Sequence, residues 1–273
     1  MFLDELIRKS LEEDIGSGDI TTKYLDLEPN TSVAFIVAKA EGVLAGVDVA
    51  RQIFRMVDPE LKIILYRKDG DKLLPKDDIM RLEGRPGSIL QGERTALNFM
   101  QRLSGIATKT ASLVALIAST NTKLLDTRKT TPLLRSLEKY AVRIGGGYNH
   151  RFGLFDMVLL KENHIRACGS ITEAVKRIRK HNTSYKIEVE VTNLAELDEA
   201  FAAGVDRVML DNMRPAQIRA AVKKYRKTLE FEVSGGIDET NILAYAKTGV
   251  QFISSGALTH SYKSLDISLL FKE

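Results

Sequence analysis

The chain is predicted to be an α/β protein, with a β-rich N-terminal unit followed by a barrel of parallel strands. Three observations predict it. Residues 32–90 carry short Val- and Ile-rich segments separated by turn signals. From residue 123 onward, short apolar runs alternate with amphipathic stretches of about a dozen residues, the rhythm of βα units around a parallel sheet. Each of those runs ends in a chemically capable residue or a glycine loop.

The elements follow in order. Residues 2–14 place Leu3, Leu6, Ile7 and Leu11 at helical spacing, and Gly16-Ser17-Gly18-Asp19 ends that helix. Segments 33–37 and 63–66 read as antiparallel strands, with turns at Glu41-Gly42, Asp69-Gly70 and Arg85-Pro86-Gly87. One helix, around 48–56, interrupts them. Residues 93–119 form a long helical stretch with an expected bend or break at Ser104-Gly105. Strands are expected at 123–127, 157–161, 186–191, 207–211, 230–234 and 252–255. The helices between them are expected to start near Pro132, Thr172, Leu194, Pro215 and Glu239. The Gly-x-Gly-x-x-Gly fingerprint of an open dinucleotide-binding sheet is missing after the first strand, which favours the barrel.

Composition bounds the function. A length of 273 residues fits one large or two modest domains. With 44% hydrophobic and 28% charged residues, disorder and low complexity are excluded. Cys168 is the single cysteine, so an intrachain disulfide and a multi-Cys zinc or iron–sulfur site are excluded. A net charge of +4 is mild. The basic residues sit at strand ends rather than in one run with interleaved aromatics, and Trp is absent, which argues against nucleic acid. The N-terminus lacks a signal-peptide pattern. The longest apolar stretch, around 113–118, falls far short of the roughly 20 residues that span a bilayer. A cytoplasmic protein without a membrane or nucleic-acid partner is expected.

In a barrel of parallel strands the C-terminal strand ends converge on one face, which carries the active site. Ser234-Gly235-Gly236 and Ser254-Ser255-Gly256 close the last two strands, where barrels commonly bind a phosphate group. Arg128 and Lys129 follow the first strand, and Arg151 follows His150. Lys161 ends the apolar run Met-Val-Leu-Leu-Lys, where it is expected to lack easy access to water and to need an anionic partner. Such cations suit carboxylates and phosphates. Glu188 and Glu190 share a strand face by the period of two, and Asp211 ends Val-Met-Leu-Asp. These carboxylates either hold Mg²⁺, accept hydrogen bonds from sugar hydroxyls and favour a developing positive charge, or form an internal network with Lys161. His164 either shapes its loop or touches substrate. His260 is a phosphate contact or a structural loop residue, and His181 reads as surface. No histidine pair has the helical spacing of a zinc site. The residues thus describe a barrel enzyme for a phosphorylated, strongly anionic substrate, without naming the reaction.

Longer strings carry a resemblance. They are Glu41-Gly42-Val43-Leu44-Ala45-Gly46, Gly92-Glu93-Arg94-Thr95-Ala96-Leu97-Asn98, Leu103-Ser104-Gly105-Ile106-Ala107-Thr108 and Thr127-Arg128-Lys129-Thr130-Thr131-Pro132. Shorter ones are Asn149-His150-Arg151, Lys161-Glu162-Asn163-His164, Glu188-Val189-Glu190, Leu210-Asp211-Asn212, Ser234-Gly235-Gly236 and Gly256-Ala257-Leu258-Thr259-His260. Glu13-Asp14 and Gly18-Asp19-Ile20-Thr21-Thr22 fit as well. In this order, across essentially the whole chain, they resemble the quinolinate phosphoribosyltransferase family, also called nicotinate-nucleotide pyrophosphorylase (carboxylating).

The resemblance implies an N-terminal α+β sandwich domain over 1–110 and an incomplete α/β barrel over 111–261, with 262–273 packing back towards the first domain. It implies transfer of phosphoribosyl from 5-phosphoribosyl-1-pyrophosphate to quinolinate with Mg²⁺, giving nicotinate mononucleotide, pyrophosphate and CO₂ on the way to NAD. It implies a head-to-tail homodimer, with larger assembly open. Arg128, Arg151 and Lys161 would hold the two carboxylates of quinolinate, with Arg94 arriving from the other subunit. Thr127 and His150 would line that pocket. Lys129 would face the pyrophosphate side or assist proton transfer, a role open to Lys161 too. Glu190 and Asp211 would bind the ribose hydroxyls and Mg²⁺, directly or through water. Ser234, Gly235, Gly236, Ser255 and Gly256 would cradle the 5-phosphate. A same-superfamily enzyme for a monocarboxylate such as nicotinate would need fewer cations. Retention of the whole diacid-binding set counts against the family's molybdenum-transport paralogue.

Overall fold

Apolar periodicity builds the first elements where the sequence places them. The computed structural model describes residues 2–27, 31–181 and 184–272. Helix α1 (Phe2–Ile15) buries Ile7 and Leu11. A short helix α2 (Ile20–Leu25), not predicted, starts where the Asp19 carboxylate accepts the Thr22 N–H at 3.1 Å. There follow β1 (Ser32–Ala38), β2 (Gly42–Val43), α3 (Val47–Val57), β3 (Lys62–Leu65), β4 (Lys72–Leu73), β5 (Asp78–Gly84) and α4 (Pro86–Ile117).

Helix α4 corrects two expectations. It starts at Pro86, inside the expected turn, because proline is well suited to the first turn of a helix. It also runs unbroken through Ser104-Gly105. The Ser104 hydroxyl is bonded to the Ala45 backbone, accepting its N–H at 2.9 Å. Gly105 lets the Lys263 carbonyl approach: a Cβ there would lie 2.3 Å from its oxygen. Glycine here serves close packing rather than a bend.

The βα part comprises β6 (Lys123–Leu125), α5 (Arg135–Ile144), β7 (Val158–Leu160), α6 (Glu162–Cys168), α7 (Ile171–Lys180), β8 (Ile187–Val191), α8 (Leu194–Ala202), β9 (Arg207–Asp211), α9 (Pro215–Tyr225), β10 (Glu230–Ser234), α10 (Ile242–Ala246), β11 (Phe252–Ser254) and α11 (Ala257–His260). A last strand, β12 (Ile267–Phe271), completes the chain's elements. The strands lie where expected, trimmed by a residue or two at some ends. Helix α5 begins three residues after Pro132, because Leu133 takes a left-handed backbone, φ 67°.

Two units divide the chain: residues 1–109 with 262–273, and residues 110–261. In the first, an antiparallel sheet has the order β12-β1-β5-β3. Ile36 of β1 stands opposite Leu269 on one side and Met80 on the other. The strand made by residues 267–271 therefore belongs to this sheet. A separate ladder joins β2 to β4. Close packing is visible at Gly92, where a Cβ would lie 2.7 Å from the Phe54 ring.

The second unit holds a parallel sheet of order β6-β11-β10-β9-β8-β7. Its first strand pairs with its last, so the sheet curls round as a barrel does. No ladder joins β6 to β7 among the described residues. Tyr148 makes an isolated bridge to Leu125 beside that seam. The barrel is incomplete there. Helices cover the sheet with apolar stripes such as Ile171, Ala174 and Val175 of α7. Among the described residues, no helix is long and apolar enough to cross a membrane.

Candidate active site

The C-terminal strand ends surround a cavity of about 670 Å³ within the second unit. Thr127, Arg128 and Lys129 follow β6 into it. The Thr127 hydroxyl accepts the Lys129 N–H at 3.0 Å, tightening the turn that presents both cations. Arg128 Nε is buried without a hydrogen-bond partner. Arg151, from the loop before β7, lines the same wall and donates to the Met157 carbonyl at 3.3 Å. Burial and then the nearby Arg128 charge pull its pKa below the usual guanidinium value. Two guanidiniums therefore line one space, with the Glu188 and Asp156 charges only partly offsetting the fall at Arg151. An anion relieves both the repulsion and the unmet donor.

His150 stands beside them. Its Nε2 lies 3.0 Å from Glu188 Oε2 and 3.4 Å from Glu232 Oε2, on neighbouring parts of the barrel interior. Burial opposes its charge, but the two carboxylates outweigh it and push the imidazole up to about 9. On its other side the Arg151 N–H lies 2.7 Å from His150 Nδ1, which turns Nε2 towards the carboxylates. Burial and the Glu232 charge raise Glu188 to about 7. Glu188 Oε1 and Glu232 Oε1 are both buried without partners. The three residues place donor atoms within 4.8 Å of one another, a spacing that could hold a metal. Arg207, 3.5 Å from Glu232, already supplies cationic charge there.

Lys161 corrects an expectation. Its side chain is 49% exposed and pairs with Glu190 at 2.8 Å. The strand stops at Leu160, and Lys161 begins the next helix, so its stem leaves the apolar strand for the cavity mouth. The pairing of Lys161 with Glu190 also realises the internal network weighed from sequence. His164 shapes this loop, because its Nδ1 accepts the Lys161 N–H at 3.0 Å.

Glu190 and Asp211 end neighbouring strands and both line the cavity. Burial, and then the Glu190 charge, raise Asp211 above its ordinary value, with Asn212, Lys161 and Lys129 opposing. Two carboxylates in one lining, with Asp211 raised by the Glu190 charge, are suited to a cation or to sugar hydroxyls.

Beside the β6 loop, after the neighbouring strands β11 and β10, side chains give way to backbone. Ser234, Gly235, Gly236, Ser255 and Gly256 all line it. Gly235 has φ 100°, and a Cβ there would lie 2.2 Å from Asn212 Oδ1. At Gly256 a Cβ would lie 2.9 Å from both His260 Nε2 and Lys129 Cδ. Glycine is the residue that fits both places. Both Ser255 donors are committed within the fold, its hydroxyl to the Ile237 carbonyl at 3.0 Å and its N–H to the Leu125 carbonyl at 3.0 Å, so it shapes the lining. His260 lines this side as well.

The predicted residues thus meet in one cavity, with one exception. Arg94 lies on α4 in the first unit, exposed and outside the cavity lining. Sequence reasoning missed Glu232. Its signal was present, since Glu230 and Glu232 alternate in Glu-Phe-Glu-Val-Ser as Glu188 and Glu190 do. Asn212 was quoted within a motif without a role. Its side chain donates to Asp211 at 2.7 Å and sits under Gly235.

Fold and site together define a barrel enzyme whose cavity is lined by cations, a glycine cradle and a carboxylate pair. Residues 19–104 match the family model for the quinolinate phosphoribosyl transferase N-terminal domain, and residues 106–270 match the one for its C-terminal domain. The chain belongs to the quinolinate phosphoribosyltransferase family. It is 47% identical over 268 residues to a Bacillus subtilis protein named "Probable nicotinate-nucleotide pyrophosphorylase (carboxylating)", covering 98% of this chain and 92% of that one. A Methanocaldococcus jannaschii protein of the same name is 45% identical, covering 97% and 95%. The solved nicotinate-nucleotide pyrophosphorylase from Francisella tularensis superposes with a TM-score of 0.96 at 48% identity, covering 99% and 96%.

Proposed function

We propose that the protein transfers phosphoribosyl from 5-phosphoribosyl-1-pyrophosphate to quinolinate with loss of CO₂, giving nicotinate mononucleotide and pyrophosphate for NAD synthesis. The observation that carries this reading is the pair Arg128 and Arg151, like charges in one cavity lining close enough to repel, with Arg128 Nε buried and unbonded. With Lys161 they suit a diacid better than a monoacid.

The chemistry follows from the groups in place. Arg128, Arg151 and Lys161 hold the two carboxylates, with Thr127 and His150 walling the pocket, so that the ring nitrogen faces the ribose. The nitrogen–C1 bond forms as the C1–oxygen bond to pyrophosphate breaks, and that electron pair departs with pyrophosphate. Glu190 and Asp211 stabilise the positive charge developing at C1 and accept the ribose hydroxyls. Ser234, Gly235, Gly236 and Gly256 hold the 5-phosphate, in a lining that Ser255 shapes. The carboxylate beside the quaternised nitrogen then leaves as CO₂, its bonding pair staying on the ring carbon. A proton from Lys129 or Lys161 takes its place.

Mg²⁺ fits Glu190 and Asp211, whose mutual repulsion it would relieve, directly or through water. When bound it would neutralise charge on the leaving pyrophosphate. We further propose a homodimer in which Arg94, exposed here, reaches the partner's diacid pocket.

The test is turnover of quinolinate and, in parallel, nicotinate, with 5-phosphoribosyl-1-pyrophosphate and Mg²⁺, following CO₂ and mononucleotide together. Equal release of both products from quinolinate alone is expected. Turnover of nicotinate without CO₂ would replace this reading with the monoacid one.

A further inference from the structure

Helix α5 turns three charged residues to one side, Arg135, Glu138 and Lys139, at the spacing i, i+3 and i+4. None of them lines the cavity. All three bond to the two loops that do.

Lys139 is buried and pairs with the buried Asp126, which ends the run of β6. Its Nζ also donates to the His150 carbonyl at 3.0 Å. Asp126 accepts the His150 N–H at 2.9 Å and a hydrogen of the Asn149 amide. The same amide donates to the Lys139 carbonyl at 3.0 Å. Glu138, fully buried, accepts the Thr131 N–H at 3.1 Å. Arg135 spans both loops with one guanidinium. Its Nε donates to Thr130 Oγ1 at 2.9 Å, its Nη2 reaches the Arg128 carbonyl at 3.5 Å, and its Nη1 donates to the Phe152 carbonyl at 3.1 Å.

The location matters. These bonds cross the seam where β6 and β7 do not pair. A closed barrel would hold the two strand ends in register through a ladder. Here an isolated backbone bridge, with the Tyr148 N–H on the Leu124 carbonyl at 2.8 Å and the Asp126 N–H on the Tyr148 carbonyl at 3.1 Å, is extended by side chains of α5. Burial disfavours both ions of the Lys139–Asp126 pair, raising Asp126 and lowering Lys139. Buried pairs of this kind are weak sources of stability, and their best-attested use is to fix register.

We propose that Arg135, Glu138 and Lys139 are positioning residues that set the spacing of Arg128 and Arg151, and so the affinity for the diacid. This rests on the functional reading given above. Arg128 is bonded through its own carbonyl and Arg151 lies between the bonded carbonyls of His150 and Phe152, so a shift of either loop moves one guanidinium against the other. None of these bonds ties the glycine cradle to α5, and Lys129, between Arg128 and Thr130, is held from α11 by the Thr259 hydroxyl on its carbonyl at 2.7 Å.

The experiment is steady-state kinetics and calorimetric binding on Arg135→Gln and Arg135→Lys beside the wild type. Arg135→Gln is expected to raise KM and Kd for quinolinate about tenfold, the scale on which small misplacements act. KM for 5-phosphoribosyl-1-pyrophosphate and kcat should stay within about twofold, and Arg135→Lys should recover part of the loss. The double variant Lys139→Met/Asp126→Asn removes the buried pair without stranding a charge and should show the same diacid-specific loss. An unchanged quinolinate KM in Arg135→Gln overturns the proposal. So does an equal weakening of both substrates together with a lower Tm, which is the mark of a merely structural role. Failure of the wild type to use quinolinate at all instead overturns the functional reading.

Discussion

On the proposed function, the two parts of the cavity hold anions by different means. Beside β6 and β7, long cationic side chains do the work, and a buried polar network outside the cavity supports them. Beside β10 and β11, the backbone does it, and two glycines make room. Flexible side chains deliver full charges but need bracing to hold a distance. Backbone groups are already fixed, and they need only the absence of a Cβ. Bracing therefore accumulates on the side that carries the charge.

The sharpest way to break this contrast is Arg151→Ala. Removing a charge-assisted pair from a half-buried site should lower kcat/KM for quinolinate about 300-fold, roughly 3 kcal/mol. KM for 5-phosphoribosyl-1-pyrophosphate should move less than about threefold, and equal movement of both would erase the distinction between the sides. Gly235→Ala should do the converse. Its Cβ would press on Asn212 at φ 100°, so KM for 5-phosphoribosyl-1-pyrophosphate should rise about 30-fold, roughly 2 kcal/mol of backbone strain. Quinolinate affinity, measured calorimetrically, should hardly change.

A smaller effect concerns stability. Glu188 is raised to about 7 and His150 to about 9, so the folded cluster binds more protons than the unfolded chain. Stability should then be fullest below the unfolded carboxylate value and fall as pH rises through this window, by about 2 kcal/mol. Thermal melts at pH 5.5, 7 and 8.5 should show that decline, and Glu188→Gln should flatten it. A Tm that rises with pH would contradict the assignment. Smallest is Arg85→Ala in the first unit, where the guanidinium lies 2.7 Å from the buried Asp58. It should cost about 1 kcal/mol in a denaturant melt and leave both KM values alone.

Much of this was legible in the sequence. The strand ends were readable because apolar runs stopped at charged or glycine residues, as at Asp211 and Ser234. The side of β8 was readable from the alternation of Glu188 and Glu190. What the sequence hid depended on partners distant in the chain. Ser104-Gly105 reads as a helix break until the carbonyl of Lys263 is seen against it. Lys139 reads as an ordinary surface lysine of an amphipathic helix until Asp126 and His150 are brought beneath it. Lys161 reads as buried because its apolar run looks like strand to the end, whereas the ladder stops one residue earlier. Glu232 was readable by the same alternation as Glu190, but nothing local connects it to His150.

The pairing of first with last strands has a consequence for how the chain is made. In the barrel, β6 waits for β11, and in the antiparallel sheet β1 waits for β12. The parallel sheet cannot close until translation has passed residue 254, nor the antiparallel sheet until residue 271, so a nascent chain carries open strand edges for most of its synthesis. Such edges invite pairing with other chains, and folding dominated by such distant contacts is slow. A chain cut just before Ile267 would keep every residue of the cavity and still expose β1, which makes aggregation, rather than lost chemistry, its first defect.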